Sequence, residues 1–229
     1  PGVFSGIDLL EKLAKYEPVD IGKRVVVAGG GRTAMDAARA AVRLGAKATV
    51  VYRRTKNEMP AHHAEVRDAY DEEVDIKVLT NPVKIEKTKQ GLKITCIKME
   101  LSEPDESGRR RPIAIDGSEF EIEADSIIMA IGQKTDFSFI KNKGVNKWGL
   151  FDTKGKTYQT VTDPKIFVAG DCYKGPDLAV RAVADARKAA QSINQFLKGE
   201  EVVGEEVRFS SYPGDLDTLP PEMFDAFTP

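Results

Sequence analysis

Cysteine, tryptophan and long apolar runs are scarce in this chain, and each scarcity excludes a class of protein. The 229 residues include two cysteines and one tryptophan, and aromatic residues make up 7% of them. Cys96 and Cys172 form neither a CxxC redox pair nor a metal or iron–sulfur ligand set, so we expect free thiols in a reducing compartment. No apolar run approaches the roughly 20 residues that span a bilayer. These absences predict a cytoplasmic protein without a membrane span.

An excess of charge of one sign is also missing. Lysine and arginine together number 34 and aspartate and glutamate 36, which gives a net charge of −2 and a pI near 5.9. There is no overall basic field to attract nucleic acid or anionic lipid, and we expect neither as a partner. The length and a hydrophobic share of 41% are sufficient for one large or two small domains.

A strand, a glycine turn and a helix carry the clearest functional signal. An apolar strand at 24–28 leads into Gly29-x-Gly31-x-x-Ala34, which opens an alanine-rich helix predicted from about Thr33 to Leu44. Gly29 permits the tight turn, Gly31 admits a pyrophosphate to the backbone, and Ala34 lets the helix pack closely on the strand. The turn predicts a dinucleotide-binding site formed by Gly29, Gly30, Gly31, Arg32, Thr33 and Ala34. A glycine turn in another kind of βαβ unit is the alternative.

The end of the second strand indicates which dinucleotide binds. The predicted strand Ala48–Arg54 ends in two arginines, where an acidic residue would favour the ribose hydroxyls of NAD. A guanidinium makes paired, charge-assisted hydrogen bonds to phosphate, so Arg53 and Arg54 predict a preference for NADPH. A solvated pair of charges at a strand end is the alternative.

The rest of the pattern is α/β, interrupted by alternating apolar positions that predict antiparallel strands. We predict a Rossmann-like parallel sheet with helices, together with an antiparallel β-meander. The predicted elements outside the βαβ unit are helices at 5–16, 61–72 and 177–197, strands at 75–79, 124–133 and 165–171, the antiparallel strands at 82–123 with a solvated hairpin tip at 102–112, and a Pro-rich tail or linker at 200–229.

Five stretches in this order resemble the NADPH-binding domain and following flavin segment of the small subunit of bacterial glutamate synthase. The same arrangement occurs in dihydropyrimidine dehydrogenase and related flavoproteins. The stretches are PGVFSGIDLL at 1–10, VVVAGGGRTAMDAARAAVRLGA at 25–46, VVYRRTKNEMPA at 50–61, ADSIIMAIGQKTD at 124–136 and IFVAGDCYKGPDLAVRAVADARKAA at 166–190. The resemblance implies a glutathione-reductase-like architecture, in which a complete NADPH domain is inserted into an FAD domain.

The resemblance also implies a domain organisation. It places a crossover and first helix at 1–20, the NADPH-binding domain at 21–155 and the C-terminal part of an FAD-binding domain at 156–199. Members of the family carry an earlier glycine turn for the FAD pyrophosphate and often a region with iron–sulfur clusters. We therefore expect this chain to be part of a longer oxidoreductase and to be inactive in isolation.

Further site residues follow from the resemblance. It implies that Asp171, after Gly170, hydrogen-bonds the ribityl chain of FAD, and that the helix beginning at Asp177, Leu178 and Ala179 faces the flavin ring. It also assigns the end of the strand at 124–133 to the cofactor site, through Ala130, Ile131 and Gly132. An ordinary strand-to-helix turn is the alternative for Gly170-Asp171.

Three positions leave their roles open. Glu65 stands where related adrenodoxin-reductase-like enzymes use a glutamate near the nicotinamide amide, although a solvated helix face explains it equally well. Arg32 stands where the family usually has asparagine, and it either strengthens phosphate binding or projects into solvent. Glu73 replaces a glycine that the family usually has in a turn.

Two classes of function follow. The first is an electron-transfer oxidoreductase in which NADPH reduces FAD and electrons pass to iron–sulfur centres or a partner subunit, with the chemistry carried by the cofactors. The second is a nucleotide-binding module that is redox-inert when isolated.

Overall fold

The computed structural model describes residues 2–105, 108, 110–132, 136–138, 140 and 144–205. It divides into two compact units, Pro1–Gln133 and Lys134–Pro229. The described part of the first unit is an α/β sandwich, and that of the second contains two helices and short bridged segments. The predicted tail lies outside the described residues from 206 onwards.

A five-stranded parallel sheet forms the centre of the first unit. Its strand order is β1-β9-β2-β3-β4, and every neighbouring pair is parallel. Three helices connect these strands, and the predicted elements are confirmed to within a few residues. The bounds are β1 (Val3–Ser5), α1 (Gly6–Ala14), β2 (Arg24–Ala28), α2 (Arg32–Arg43), β3 (Lys47–Val51), α3 (His63–Asp71), β4 (Asp75–Lys77) and β9 (Ser126–Met129).

A second, antiparallel sheet confirms the predicted meander. A long strand, β6, forms the centre of this sheet, and its neighbours change between its first and second halves. Its first half lies between β5 and β8, and its second half pairs with β7; residues 106, 107 and 109 of the hairpin tip predicted at 102–112 lie outside the described residues. The strands are β5 (Thr80–Thr88), β6 (Gly91–Pro104), β7 (Arg110–Ala114) and β8 (Phe120–Ala124).

The two sheets and the helices form three layers because the central strands are apolar on both faces. Val25, Val27 and Val50 pack against helix residues such as the fully buried Ala38. The opposite face of the parallel sheet, including Val26 and Val51, packs against Leu92, Ile94 and Cys96 of the antiparallel sheet. Burial raises the pKa of Cys96 to about 11, which keeps this thiol neutral in the core.

Three strands of the parallel sheet are shorter than predicted: β4 ends at Lys77 rather than at 79, β9 spans Ser126–Met129 rather than 124–133, and β3 lacks its predicted end. The strand expected to end in two arginines ends at Val51, and Arg53 and Arg54 lie in a bend beyond it. The Tyr52 amide still donates to the carbonyl of Lys77 in β4 of the parallel sheet, whereas the Tyr52 carbonyl accepts from the amide of Thr80, the first residue of β5 in the antiparallel sheet. Glu73 adopts φ of +62°, a conformation that favours the glycine of the family pattern.

The second unit contains a short helix, α4 (Asp171–Lys174), and a long one, α5 (Ala179–Lys198). The strand predicted at 165–171 is wrong, since Phe167 forms only an isolated bridge with Gln159. The pairing cannot extend because Tyr158, beside that bridge, has φ of +58° and leaves the extended conformation. The helix predicted to begin at about 177 begins at Ala179: Leu178 is the N-cap residue, and Asp177 accepts a hydrogen bond from the Leu178 amide.

The apolar side of α5, which carries Val183 and Leu197, is exposed within this unit. Asp185, Ala189 and Ser192 are its buried residues, whereas Val183 is 68% exposed and Leu197 77% exposed. None of the helices in the described ranges is both long enough and apolar enough to cross a bilayer.

Candidate functional site

The carboxyl ends of the parallel strands bring the predicted residues of the first unit to one edge. The glycine turn follows β2, the arginines follow β3, and Ala130 to Gly132 follow β9. The chain runs outward from β2 in one direction through β3 and β4, and β9 lies on its other side. Such a point, where the strand order reverses, opens a crevice in which doubly wound sheets bind ligands.

Three glycines form the turn for different steric reasons. Gly29 has φ of +143°, and a Cβ there would lie 2.3 Å from the Ala130 carbonyl oxygen. A Cβ on Gly30 would lie 2.5 Å from Cδ2 of Tyr52. Around Gly31 no described atom lies within 4 Å of a Cβ position. The first two glycines are therefore required by the protein's own packing, while Gly31 faces an open space.

Helix α2 presents an uncapped N-terminus to that space. Gly31 is its N-cap residue and offers no side-chain hydrogen bond, and Thr33 lies in the first turn. Ala34 and Met35 donate their amides to the Gly31 carbonyl, and Ala34 is completely buried. The free amides and the positive end of the helix dipole suit an anion at the turn.

Two arginines follow β3 on the neighbouring side of the crevice. Arg53 is exposed, and Arg54 is half-buried with a backbone carbonyl that accepts from the Leu79 amide. The Nε of Arg54 is buried and has no hydrogen-bond partner among the described residues. Because an unpaired buried donor costs free energy, this nitrogen is suited to an added acceptor such as a phosphate oxygen.

Sequence reasoning missed Tyr52, which supports the turn. The ring contacts the position of Gly30, and the hydroxyl donates a 2.6 Å hydrogen bond to the Glu58 carbonyl oxygen. Glu58 in turn caps a 3₁₀ turn at Lys56–Glu58 through Thr55, whose hydrogen bond lowers the Glu58 pKa. An aromatic residue between the strand and the arginines was the only available signal for this contact.

Arg32 and Glu65 lie together at the side of the turn. The distance from Arg32 Nε to Glu65 Oε1 is 3.7 Å. The other carboxylate oxygen of Glu65 accepts from the His62 amide at 2.8 Å, and the His62 side chain accepts from the Ala64 amide, so the two residues form a capping box at the start of α3. The backbone before this helix is tied to the turn, since the Ala61 amide donates to the Gly30 carbonyl.

The loop after β9 forms the other wall. The Ala130 amide donates to the Ala28 carbonyl at 2.8 Å, which holds the loop beside the glycine turn. Ile131 is 71% exposed, and Gly132 has φ of +99° with no described atom near its Cβ position. This wall is apolar and small, so a flat ring or sugar can approach it closely.

The remaining predicted residues lie in the second unit. Gly170, with φ of +65°, is the N-cap residue of α4, and a Cβ there would lie 3.2 Å from Ala182 of α5. Asp171 is exposed. Asp177 accepts from the Leu178 amide and pairs with Arg181 at 2.9 Å, and these contacts lower its pKa. Leu178 and Ala179 begin α5 and are also exposed.

A polar network fixes α4 against α5. Oδ1 of Asp185, a buried residue, accepts from Lys174 Nζ at 2.7 Å and from the Tyr158 hydroxyl at 2.8 Å. Burial alone would favour the neutral carboxyl, but these two hydrogen bonds hold the Asp185 pKa below its usual value. The ionised carboxylate thus links the short helix that carries Asp171 to the long one.

The thiols and metal-ligating side chains form no centre in the described ranges. Cys96 is in the core, and Cys172 is half-buried with its sulfur 3.1 Å from the Ala169 carbonyl oxygen. Within the part of the chain that the structure describes, no group of three or more His, Cys, Asp or Glu side chains could hold a metal ion.

The chain is similar in sequence to subunits of known oxidoreductases. The chain is 44% identical over 180 residues to the NADP(+)-dependent formate dehydrogenase subunit beta of Moorella thermoacetica, which covers 77% of this chain and 25% of that protein. It is 41% identical over 191 residues to the glutamate synthase [NADPH] small chain of Escherichia coli K12, covering 77% and 39% respectively. The chain thus spans well under half of either relative.

A solved structure shows the same fold. FprA from Mycobacterium tuberculosis, in a structure with NADPH, superimposes with a TM-score of 0.70 and 17% identity, covering 87% of this chain and 59% of that one. Residues 1–186 match the pyridine nucleotide-disulphide oxidoreductase family over most of the chain. The predicted fold and the predicted relationship to the glutamate synthase small subunit are confirmed, and the chain belongs to the pyridine nucleotide-disulphide oxidoreductase family.

Proposed function

We propose that this chain is the NADPH-binding part of a flavin-dependent electron-transfer oxidoreductase. One observation carries the proposal: a glycine turn closed on both sides by protein but open at Gly31, with two arginines after the next strand. When both cofactors are bound, hydride passes from the nicotinamide C4 to the flavin N5. Electrons then continue to iron–sulfur centres or a partner subunit of a longer cytoplasmic protein.

The residues of the first unit have separate roles in holding NADPH. Gly31 and the amides at the start of α2, including Thr33, receive the pyrophosphate. Arg53 and Arg54 bind the 2′-phosphate, and the buried Arg54 Nε gains the acceptor that it lacks among the described residues. Ala130, Ile131 and Gly132 line the opposite wall of the crevice.

The second unit supplies part of a flavin site. Asp171 is exposed at the start of α4 and is available to accept hydrogen bonds from the ribityl hydroxyls. The N-terminus of α5, near Leu178, has no side-chain cap from its N-cap residue. We propose that residues 21–155 form the NADPH-binding domain and residues 156–199 the C-terminal part of an FAD-binding domain, a boundary that differs from the division of the compact units at Gln133 and Lys134.

The described residues contain one glycine turn of the pyrophosphate-binding type, at Gly29–Gly31, and the apolar side of α5 is exposed. We therefore propose that the 229-residue chain binds NADPH but neither retains FAD nor oxidises NADPH. The chain alone then acts as a redox-inert nucleotide-binding module, and the longer protein is the one that catalyses electron transfer.

Nucleotide preference tests the proposal. Arg53→Glu removes a charge-assisted pair to the 2′-phosphate, so NADPH binding should weaken by roughly 1.5–3 kcal/mol while NADH binding changes little. The measurement is calorimetric titration of both nucleotides. Arg187→Glu makes the same charge change at an exposed position on α5 and should leave both affinities unchanged. Equal losses of NADPH and NADH binding in Arg53→Glu would contradict the assignment.

A further inference from the structure

The ion pair between Arg32 and Glu65 has a consequence for the proposed nucleotide site. Arg32 is the first residue of α2 and directly follows Gly31, the glycine that faces open space. Its guanidinium is directed to Glu65 of α3, at 3.7 Å, and both side chains are partly exposed. A cation next to an anion-binding turn is therefore already paired with an anion of the protein.

We propose that Glu65 competes with the nucleotide for Arg32: Glu65 pairs with Arg32 in the unliganded chain, and a bound dinucleotide pyrophosphate takes Arg32 from Glu65. This inference rests on the proposed function. It assigns Arg32 to the pyrophosphate, which NADH and NADPH share, rather than to the 2′-phosphate that Arg53 and Arg54 bind.

The exchange of partners is favourable because the two ion pairs differ in strength. A loose, exposed ion pair contributes little to stability, whereas a guanidinium and a phosphate form short, paired hydrogen bonds. The phosphate would also lie beside the amides of the α2 N-terminus, which add to its attraction. Glu65 therefore lowers the affinity for the dinucleotide without preventing binding.

The two oxygens of Glu65 have different partners, which allows its charge to be tested separately from its structural role. Oε1 faces Arg32, and Oε2 accepts from the His62 amide in the capping box. Glutamine also completes a capping box. Glu65→Gln should therefore retain the start of α3 and remove only the charge that holds Arg32.

The test is calorimetric titration of NADPH and NADH into the 229-residue chain and its variants Arg32→Gln, Glu65→Gln and the double variant. Arg32→Gln should weaken both nucleotides about tenfold. Glu65→Gln should tighten both about threefold, the range of an exposed ion pair. In the Arg32→Gln background the same change should have less than about a twofold effect, because its partner is absent.

A distant ion pair supplies the matched control. Glu123 pairs with Arg24 at 3.0 Å at the amino end of β2, the strand end opposite the glycine turn. Glu123→Gln removes an equal charge from an exposed pair and should leave both affinities unchanged. A similar tightening in this control would attribute the effect to net charge and overturn the inference.

Three other results would also overturn the inference. Weaker or unchanged binding by Glu65→Gln would show that Glu65 contacts the nucleotide or acts only structurally. Equal tightening in the Arg32→Gln background would show that Arg32 is not involved, and an effect on NADPH alone would place Arg32 at the 2′-phosphate. If the unaltered chain binds neither nucleotide, the proposed function fails instead, so the two failures are distinguishable.

Discussion

Helices α2 and α5 are both rich in alanine, yet they differ in what they bury. In α2 the side chains of Ala34, Met35, Ala37, Ala38 and Ala41 are completely buried against the parallel sheet. In α5 the buried set includes an aspartate and a serine, and Val180, Val183 and Leu197 are exposed. The small residues of α2 permit close packing on strands, while those of α5 have no sheet beside them among the described residues of their unit.

The difference shows that an alanine-rich pattern predicts a helix but not its partner. The sheet next to α2 has two apolar faces, so a helix that packs on either face buries the side chains that contact the sheet. The second unit has few buried apolar side chains among its described residues: Phe151, Tyr158, Val168 and Ala189. Three aromatic pairs and the polar network at Asp185 add to these buried side chains.

Truncation of one long apolar residue on each helix should give the largest contrast. Met35→Ala creates a cavity between α2 and the sheet and should lower the free energy of unfolding of the first unit by about 2–5 kcal/mol. Leu197→Ala on α5 removes an exposed side chain and should change stability by less than about 0.5 kcal/mol. Denaturant unfolding of both variants measures the contrast.

Similar losses in the two variants would mean that the apolar side of α5 is covered in solution. Amide hydrogen exchange along α5 shows whether its apolar side is covered or exposed in solution, since a covered helix exchanges slowly on that side. Slow exchange at Val183 together with a large effect of Leu197→Ala would show that α5 is buried as α2 is, which would contradict the difference between the two helices.

The sequence predicted the first unit well because its signals are local. The glycine turn, the apolar strands and the alternating positions of the meander each specify an element, and the parallel order follows from the βαβ connections. The glycine turn, the arginines and Ala130–Gly132 were predicted as site residues from signals of the same kind. They meet at one edge because the carboxyl ends of parallel strands meet there.

Features that depend on distant contacts could not be predicted. The support of Gly30 by Tyr52 and the pairing of Arg32 with Glu65 need the fold, since no local pattern joins these residues. The strand expected at 165–171 failed for a related reason. Its apolar residues are typical of a strand, but the segment that pairs with it in the described part of the unit, at 158–160, has a left-handed residue at Tyr158.

Loss of the Asp185 carboxylate should have the next largest effect. Asp185→Ala leaves the buried Tyr158 hydroxyl without its acceptor and releases Lys174, which should lower the stability of the second unit by about 1–3 kcal/mol. Glu201→Ala, at an exposed acidic position, is the control and should change stability by less than about 0.5 kcal/mol. Calorimetry measures both. Equal midpoints for the two variants would show that the network does not stabilise this unit.

A smaller effect concerns the stability of the first unit at low pH. Hydrogen bonds from Arg43 and Arg39 lower the pKa of Glu72 from 4.5 to about 2. A depressed folded-state pKa gives stability that is present above the unfolded pKa near 4.5 and is lost as the pH falls towards 2. Glu72→Gln should lower the thermal midpoint at pH 7, and the difference from the unaltered chain should shrink between pH 5 and 2. A difference that stays constant over this range would exclude the ion pairs as its cause.

NADPH binding by Gly31→Val tests the central claim most directly, that the open glycine turn holds the nucleotide phosphates. The backbone at Gly31 has φ of −91° and no described atom near its Cβ position, so valine should cost only about 1 kcal/mol as a poor N-cap residue. Gly29→Val is the comparison, since φ of +143° and the Ala130 carbonyl forbid a side chain there. We expect Gly31→Val to fold with nearly the original thermal midpoint and to lose measurable NADPH binding. Gly29→Val should lose both its thermal stability and its NADPH binding. A folded Gly31→Val chain that binds NADPH as tightly as the unaltered chain would contradict the account.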